Sequence, residues 1–361
     1  MAAAGRTPWW TWAWPAAAWV ILVLTAALGT VGTVLPTLAG VALIATVFAA
    51  VYHAEIIAHR IGEPFGTLVL AVAVTVIEVA LIVSVMVAGG AEKAGLARDT
   101  VFAAVMIVCN GIVGLCLLSG GMRHRVQDFQ VEGASAALAV LAALTILTLI
   151  VPNVTTSSPG PAFSTPQLAF AGIVSLVLYG SFVFVQTVRH RDYFLPPEGD
   201  GGESHAASPS NKAALVSAGL LLAALVAVVG LAKALTPALE AAVAWLDAPK
   251  AVVGIVIAAL VLLPEGLAAV RAAHANRLQT SLNLALGSAL ASIGLTIPAV
   301  AVVSIAFAQP LQLGLGAMEE VLLALTLFIS VITLGTGRTT VLQGIVHLVI
   351  FAVFLFLAVV P

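Results

Sequence analysis

The chain has 361 residues, 61% of them hydrophobic and 8% charged, with a net charge of −2. A water-soluble domain carries roughly 25% charged residues, so composition excludes a soluble globular protein and leaves a polytopic membrane protein that partners the lipid bilayer. No basic block is present to bind nucleic acid. Cys109 and Cys116 lie seven residues apart in one apolar run, on one helix face but too far apart to bridge, and read as small core residues.

Residues 1–35 form an N-terminal segment and a leading helix. The run TPWWTWAWPAAAWVILVLTAALGTVG is too long and too rich in Trp for the core of a cleavable signal peptide. Trp9, Trp10, Trp12 and Trp14 read as an interfacial aromatic anchor. Apolar runs then predict spans at about 14–34, 36–58, 64–89, 99–121, 134–152, 166–187, 212–233, 249–272, 279–307, 318–335 and 339–360. None alternates with period two, so these are helices rather than barrel strands. The fold class is all-α, a polytopic membrane protein with about eleven transmembrane helices.

Basic residues set the orientation. With the N-terminus cytoplasmic, that side collects Arg6, Arg60, Arg123, Arg125, Arg189, Arg191, Lys212, Arg271, Arg277 and Arg338. The other side receives Lys93, Arg98, Lys233 and Lys250, and the C-terminus lies outside. The polar stretch 189–211 reads as a flexible acidic cytoplasmic linker. It separates a first five-helix repeat, 36–188, from a second, 212–361. Five helices on each side of one linker insert with opposite orientation, which is the inverted-repeat plan of secondary transporters.

In each half the second helix carries a glutamate inside an apolar run. These are Glu78 in LVLAVAVTVIEVALIVSVMVAGG and Glu265 in AVVGIVIAALVLLPEGLAAV. A carboxylate at the bilayer centre costs a few kcal/mol or more, so it marks function by default. Thr75 lies three residues before Glu78 on the same face. Pro264 leaves the carbonyl of Leu260 without its helical donor. The following helices add Asn110, beside Gly111, Gly114 and Gly120, and a hydroxyl stripe of Ser281, Ser288, Ser292 and Thr296. Single hydroxyls of this kind usually bond back to their own helix; a stripe beside a glutamate helix reads instead as lining a polar path. Glu55 and Glu63 near the cytoplasmic face, and Glu319 and Glu320 near the outer one, are candidate ion entrances. His53 and His347 read as hydrogen-bonded core residues.

If the two carboxylates converge, like-charge repulsion and lost hydration raise the affinity of at least one for a proton. A cation with oxygen preference relieves the same repulsion. Ca2+ takes six to eight oxygens, which two carboxylates with Asn110, Thr75, Ser288 and Ser292 as supporting groups partly supply. A site that holds either cation or proton, but not both, meets the physical requirement for antiport.

The sequence resembles the Ca2+/H+ antiporters of the cation/calcium exchanger superfamily, particularly the bacterial ChaA type. Gly62, Gly66 and Glu78 keep the spacing of the first-repeat pattern, and Glu265, Gly287-Ser288 and Pro298 that of the second. The family's Gly-Asn before each glutamate is replaced by Val74-Thr75 and Val261-Leu262. The resemblance covers the whole chain. It implies a leading helix plus two inverted repeats, and Ca2+/H+ exchange by alternating access in a bacterial inner membrane. Na+ or K+ for H+ is the alternative, since ChaA-type proteins are associated with those exchanges too. No resident cofactor is implied, only transported cations and protons. No feature of the sequence sets an oligomeric state.

A membrane hydrolase would need an HExxH motif or an aspartyl pair, and the predicted spans hold neither. A passive cation channel with glutamate rings predicts conductance without proton coupling. The orientation predicts that an impermeant thiol reagent applied from outside labels Ser157→Cys and not Gly199→Cys. The reverse pattern would invert the topology.

Overall fold

A computed structural model describes residues 8–28, 34–62, 65–195, 209–245, 249 and 251–360. Glu63, and residues 196–208 of the expected linker, lie outside the described residues. The chain is almost wholly helical. Its elements are α1 (Trp10–Leu28), α2 (Val34–Ile61), α3 (Phe65–Gly89), α4 (Leu96–His124), α5 (Val131–Val154), α6 (Thr165–Arg189), α7 (Asn211–Trp245), α8 (Ala251–His274), α9 (Leu278–Ala306), α10 (Ala317–Leu334) and α11 (Val341–Val359). Ten of these are long and apolar enough to cross a bilayer, and α3 carries the shorter apolar stretch Val72–Met86. Helices follow because a bilayer offers no water to backbone amides and carbonyls, which must bond within the segment.

Most boundaries fall within a few residues of the hydropathy reading. α7 differs: apolar character fades near Lys233, yet the helix continues through Pro237 to Trp245. Pro237 removes one helical donor, while the Ala-rich ALEAAVAW that follows is strongly helix-forming. The linker is also shorter than composition suggests. Residues 185–189 complete α6 as a π turn, and Arg191–Phe194 form a 3-10 turn.

The helices form two compact units that each draw on both halves of the sequence. The first comprises Met1–Val85 and Gly201–Asp247, hence α1, α2, most of α3, and α7. Here His53 joins three helices, its ring nitrogens meeting the Ser217 hydroxyl at 3.2 Å and the Thr11 carbonyl at 3.1 Å. Trp10 packs edge-on against Tyr52, and Thr46 donates to the Trp14 carbonyl, so α1 and α2 run antiparallel. Trp19 donates to the Ala223 carbonyl and Leu22 packs on Gly230, so α1 and α7 run parallel.

The second unit comprises Met86–Asp200 and Ala248–Pro361. Glycines set its close approaches. A Cβ on Gly254 or Gly266 of α8 would meet Asp99 or Ile112 of α4, so those two helices run parallel. Gly114 faces His347 and Leu348 while Gly121 faces Val341, so α4 and α11 run antiparallel. Gly172 faces Pro298 and Gly294 faces Tyr179, which makes α6 and α9 antiparallel. These directions are the ones that strictly alternating spans require.

The connections sort into two ends accordingly. At one, Gln312, Leu313, Gly314 and Leu315 donate to carbonyls of Ala94, Pro161 and Leu149, and Arg98 reaches the Gly314 carbonyl. At the other, Gln127 donates to the Ala273 carbonyl and Asn283 to the Phe194 carbonyl. A two-residue ladder there, Gln127–Asp128 with Arg338–Thr339, was not anticipated from the sequence. Its Asp128–Arg338 pair at 2.8 Å is exposed and contributes little.

Substitution of Gly344 tests the packing. A Cβ there would lie 2.5 Å from the Leu118 amide nitrogen, whereas one on Gly219 has nothing within 4 Å. Gly344→Ala should therefore destabilise by roughly 1–3 kcal/mol, read as a lower melting temperature in detergent. Gly219→Ala should be neutral or slightly stabilising. Equal effects would contradict the α4–α11 contact.

Candidate functional site

The polar interior of the second unit is organised by a local departure from α-helix. Residues Ile107–Ile112 of α4 wind as a π helix, with Asn110 inside the turn. Such turns shift the backbone bonding pattern and are frequent at functional sites. Gly111, next to Asn110, leaves space for the Phe351 ring, which lies 3.3 Å from where a Cβ would be. The turn touches α8, α9, α10 and α11.

Asn110 is fully buried. Its Nδ2 donates to Thr326 Oγ1 at 2.8 Å, and its Oδ1 lies 3.2 Å from His347 Nδ1. His347 Nε2 meets Thr333 Oγ1 at 3.1 Å, and Thr326 Oγ1 donates to Met106 Sδ at 3.3 Å. The hydroxyls come from α10, where Thr326, Ser330 and Thr333 repeat at four and three residues and are all buried. That stripe was missed from the sequence, although the spacing argument applied to α9 would have found it. His347 and His53 are both hydrogen-bonded inside their units, as the sequence suggested.

Glu265 lies on α8 and is 8% exposed. Gly266, the next residue, packs on Ile112 with 3.0 Å from its would-be Cβ to Ile112 Cδ1, so the backbone beside the carboxylate rests on the π turn. On α9, Ser281, Ser292 and Thr296 are buried and Ser288 is half-buried. Thr100, Thr145, Thr148 and Ser175 return their hydroxyls to the carbonyl one turn earlier. The buried hydroxyls of Thr296 and Ser330 make no hydrogen bond among the described residues. Back-bonding therefore does not account for these two, and their oxygens remain available to another partner.

In the first unit, Glu78 and Thr75 of α3 are 3% and 5% exposed. The carboxylate and hydroxyl are both withdrawn from the surface, as their shared face predicts. Burying a carboxylate is costly unless its charge is offset, and Glu78 and Glu265 are both buried within apolar helices.

The candidate entrances divide. Glu55 is exposed on α2, near its C-terminal end. Glu63 lies outside the described residues. Glu320 accepts a 2.7 Å hydrogen bond from Asn153 Nδ2. Glu319 lines a small cleft of about 40 Å3 together with Asp99. Asp99, the first residue of the predicted fourth span, was not singled out from the sequence. α4 begins at Leu96, which puts Asp99 in its first turn with a side chain only 17% exposed. The helix N-terminus and the Arg98 guanidinium, 2.8 Å away, work against the burial that disfavours a carboxylate there.

A buried carboxylate can take either a proton or a hard cation, and neutral oxygens can add ligands to the latter. Both cysteines are free and buried, consistent with a packing role. Among the described residues, no group of three or more His, Cys, Asp or Glu side chains is placed to hold a metal ion.

Comparisons with known proteins bear on this chemistry. The model of a family described as sodium/calcium exchanger protein matches residues 16–188 and 216–360. The chain is 52% identical over 358 residues to y4hA of Sinorhizobium fredii, a provisional ionic transporter, covering 99% of this chain and 97% of that one. It is 36% identical over 346 residues to the sodium-potassium/proton antiporter ChaA of Escherichia coli, covering 94% and 93%. Its fold is that of the Ca2+/H+ antiporter protein YfkE, with a TM-score of 0.75 at 16% identity over 97% of this chain and 99% of that one.

Proposed function

The chain belongs to the sodium/calcium exchanger protein family, and from that membership we propose a secondary active antiporter that moves a cation against protons. It is an integral membrane transporter and not an enzyme. The observation that carries the proposal is a buried glutamate in each half of the sequence, Glu78 and Glu265, at 3% and 8% exposure. A carboxylate in so apolar a setting exists stably when protonated or when a cation offsets its charge. Exchange of one state for the other is the coupling event.

Glu78 and Glu265 take the cation and proton roles, with Thr75, Asn110, Ser288 and Ser292 as supporting oxygens. Glu55, Glu63, Glu319 and Glu320 are the entrances, and Asp99 joins Glu319 on its side. The two inverted five-helix repeats expose the carboxylates alternately to each side of a bacterial inner membrane, with the N-terminus cytoplasmic and the C-terminus outside. Ca2+ is the cargo suggested by the resemblance of the glutamate motifs and by the name of the Ca2+/H+ antiporter protein YfkE. Na+ or K+ is the second reading, favoured by the name of the Escherichia coli relative and by the absence of Asn before either glutamate.

Reconstituted vesicles with imposed pH gradients, supplied in turn with Ca2+, Na+ and K+, test this directly. Cation-driven proton movement is expected in wild type and its loss in both Glu78→Gln and Glu265→Gln, which keep side-chain shape but cannot titrate. Near-normal coupled exchange in both variants would end the proposal, and cation conductance without proton movement would favour a channel.

Deletion of residues 196–208 should leave coupled exchange measurable, because the segment is polar and has no apolar face to bury. Complete loss of exchange in a deletion that still inserts and folds would contradict a tuning role.

A further inference from the structure

We infer that His347 is a positioning residue for Asn110, fixing which end of its amide faces the polar interior. The inference rests on the reading of Asn110 as a supporting cation group. The geometry sets the direction of each hydrogen bond. Asn110 Nδ2 donates to Thr326, so the oxygen Oδ1 is the end that faces His347. A carbonyl oxygen only accepts, so His347 Nδ1 carries the proton. With Nδ1 protonated, the neutral ring accepts at Nε2 from the Thr333 hydroxyl. Thr326, having accepted from Asn110, sends its own hydrogen to Met106 Sδ.

The result is a directed chain from Thr333 through His347, Asn110 and Thr326 to Met106, with every polar member buried. Reversing the amide would set its NH2 against the Nδ1 hydrogen and its oxygen against the Thr326 oxygen. Both contacts would need rearrangement of the Thr326 and Thr333 hydroxyls of α10 and of the His347 tautomer on α11. A carbonyl oxygen has two lone pairs, and His347 occupies one. The other keeps a fixed direction, which a cation ligand needs and an unrestrained amide lacks.

The two nitrogens of His347 separate in its conservative variants. In His347→Asn the amide nitrogen takes the place of Nδ1 and can still donate to Asn110. In His347→Gln it takes the place of Nε2 and cannot. Half-saturating cation concentration and maximal rate are measured in reconstituted vesicles, in separate Ca2+ and Na+ series, alongside melting temperature. Asn110→Ala is expected to raise the half-saturating concentration about tenfold, the effect of one lost charge-assisted contact. His347→Gln should raise it comparably with little change in maximal rate, and His347→Asn should stay within about twofold of wild type. In the double variant Asn110→Ala/His347→Gln the shift should equal that of Asn110→Ala alone, because His347 acts through Asn110.

Equal behaviour of the Asn and Gln variants would overturn the positioning role, as would additive shifts in the double variant. So would melting-temperature losses with unmoved half-saturation. If Asn110→Ala itself leaves half-saturation unchanged, the reading of Asn110 as a cation group fails, and the positioning role with it. A shift in Asn110→Ala without one in His347→Gln removes the positioning role alone.

Discussion

A carboxylate inside a bilayer must have its charge offset, and Glu78 and Glu265 place two such groups under that constraint within helices that are otherwise almost wholly apolar. The cost of leaving either ionised and uncompensated is several kcal/mol. An environment of that kind discriminates by charge more than by shape: a proton neutralises the group, and so does a cation. The surrounding helices therefore need few polar side chains, and Asn110, Ser292, Thr296, Thr326, Ser330 and Thr333 in the second unit are neutral. Asparagine, serine and threonine add oxygen without adding charge that would fix the carboxylate permanently in one state.

Glycine and a π turn put those neutral groups in place. Gly254 and Gly266 let α8 lie close along α4, and Gly111, Gly114 and Gly344 do the same for α11. Without a hydrophobic force between helices in lipid, such close contacts and interhelical hydrogen bonds hold the bundle. The π turn at Ile107–Ile112 touches α8, α9, α10 and α11, with Asn110 bonding to α10 and α11 and Ile112 pressed on Gly266. One local irregularity thereby links the backbone beside Glu265 to the buried polar chain that ends at Thr333 and Met106.

Much of this was legible in the sequence. Hydropathy located eleven helices because a bilayer imposes length and apolarity on each, and strict alternation anticipated the parallel and antiparallel neighbours within each unit. Glu78 and Glu265 stood out because nothing else so polar sits so deep in apolar runs. What escaped was local geometry. A π turn leaves no composition signal, since IVCNGI reads as ordinary apolar helix. The Asn110–His347 bond joins residues 237 positions apart, which spacing within one helix cannot reveal. Asp99 opens the predicted fourth span, but its burial in the first turn of α4 beside Arg98 is a tertiary feature that hydropathy does not report. The Thr326, Ser330 and Thr333 stripe was readable and was passed over because α10 carries no buried glutamate to draw attention to it.

The central claim is that cation and proton occupy the same carboxylates by turns. Proton release on cation binding tests it most directly, in weakly buffered solutions of purified protein at a series of pH values. The account predicts that Ca2+ or Na+ releases protons from wild type, with less released as pH rises and the carboxylates are already ionised. Glu265→Gln should release fewer protons at every pH. Cation binding of undiminished affinity without proton release, across the whole pH series, would contradict it.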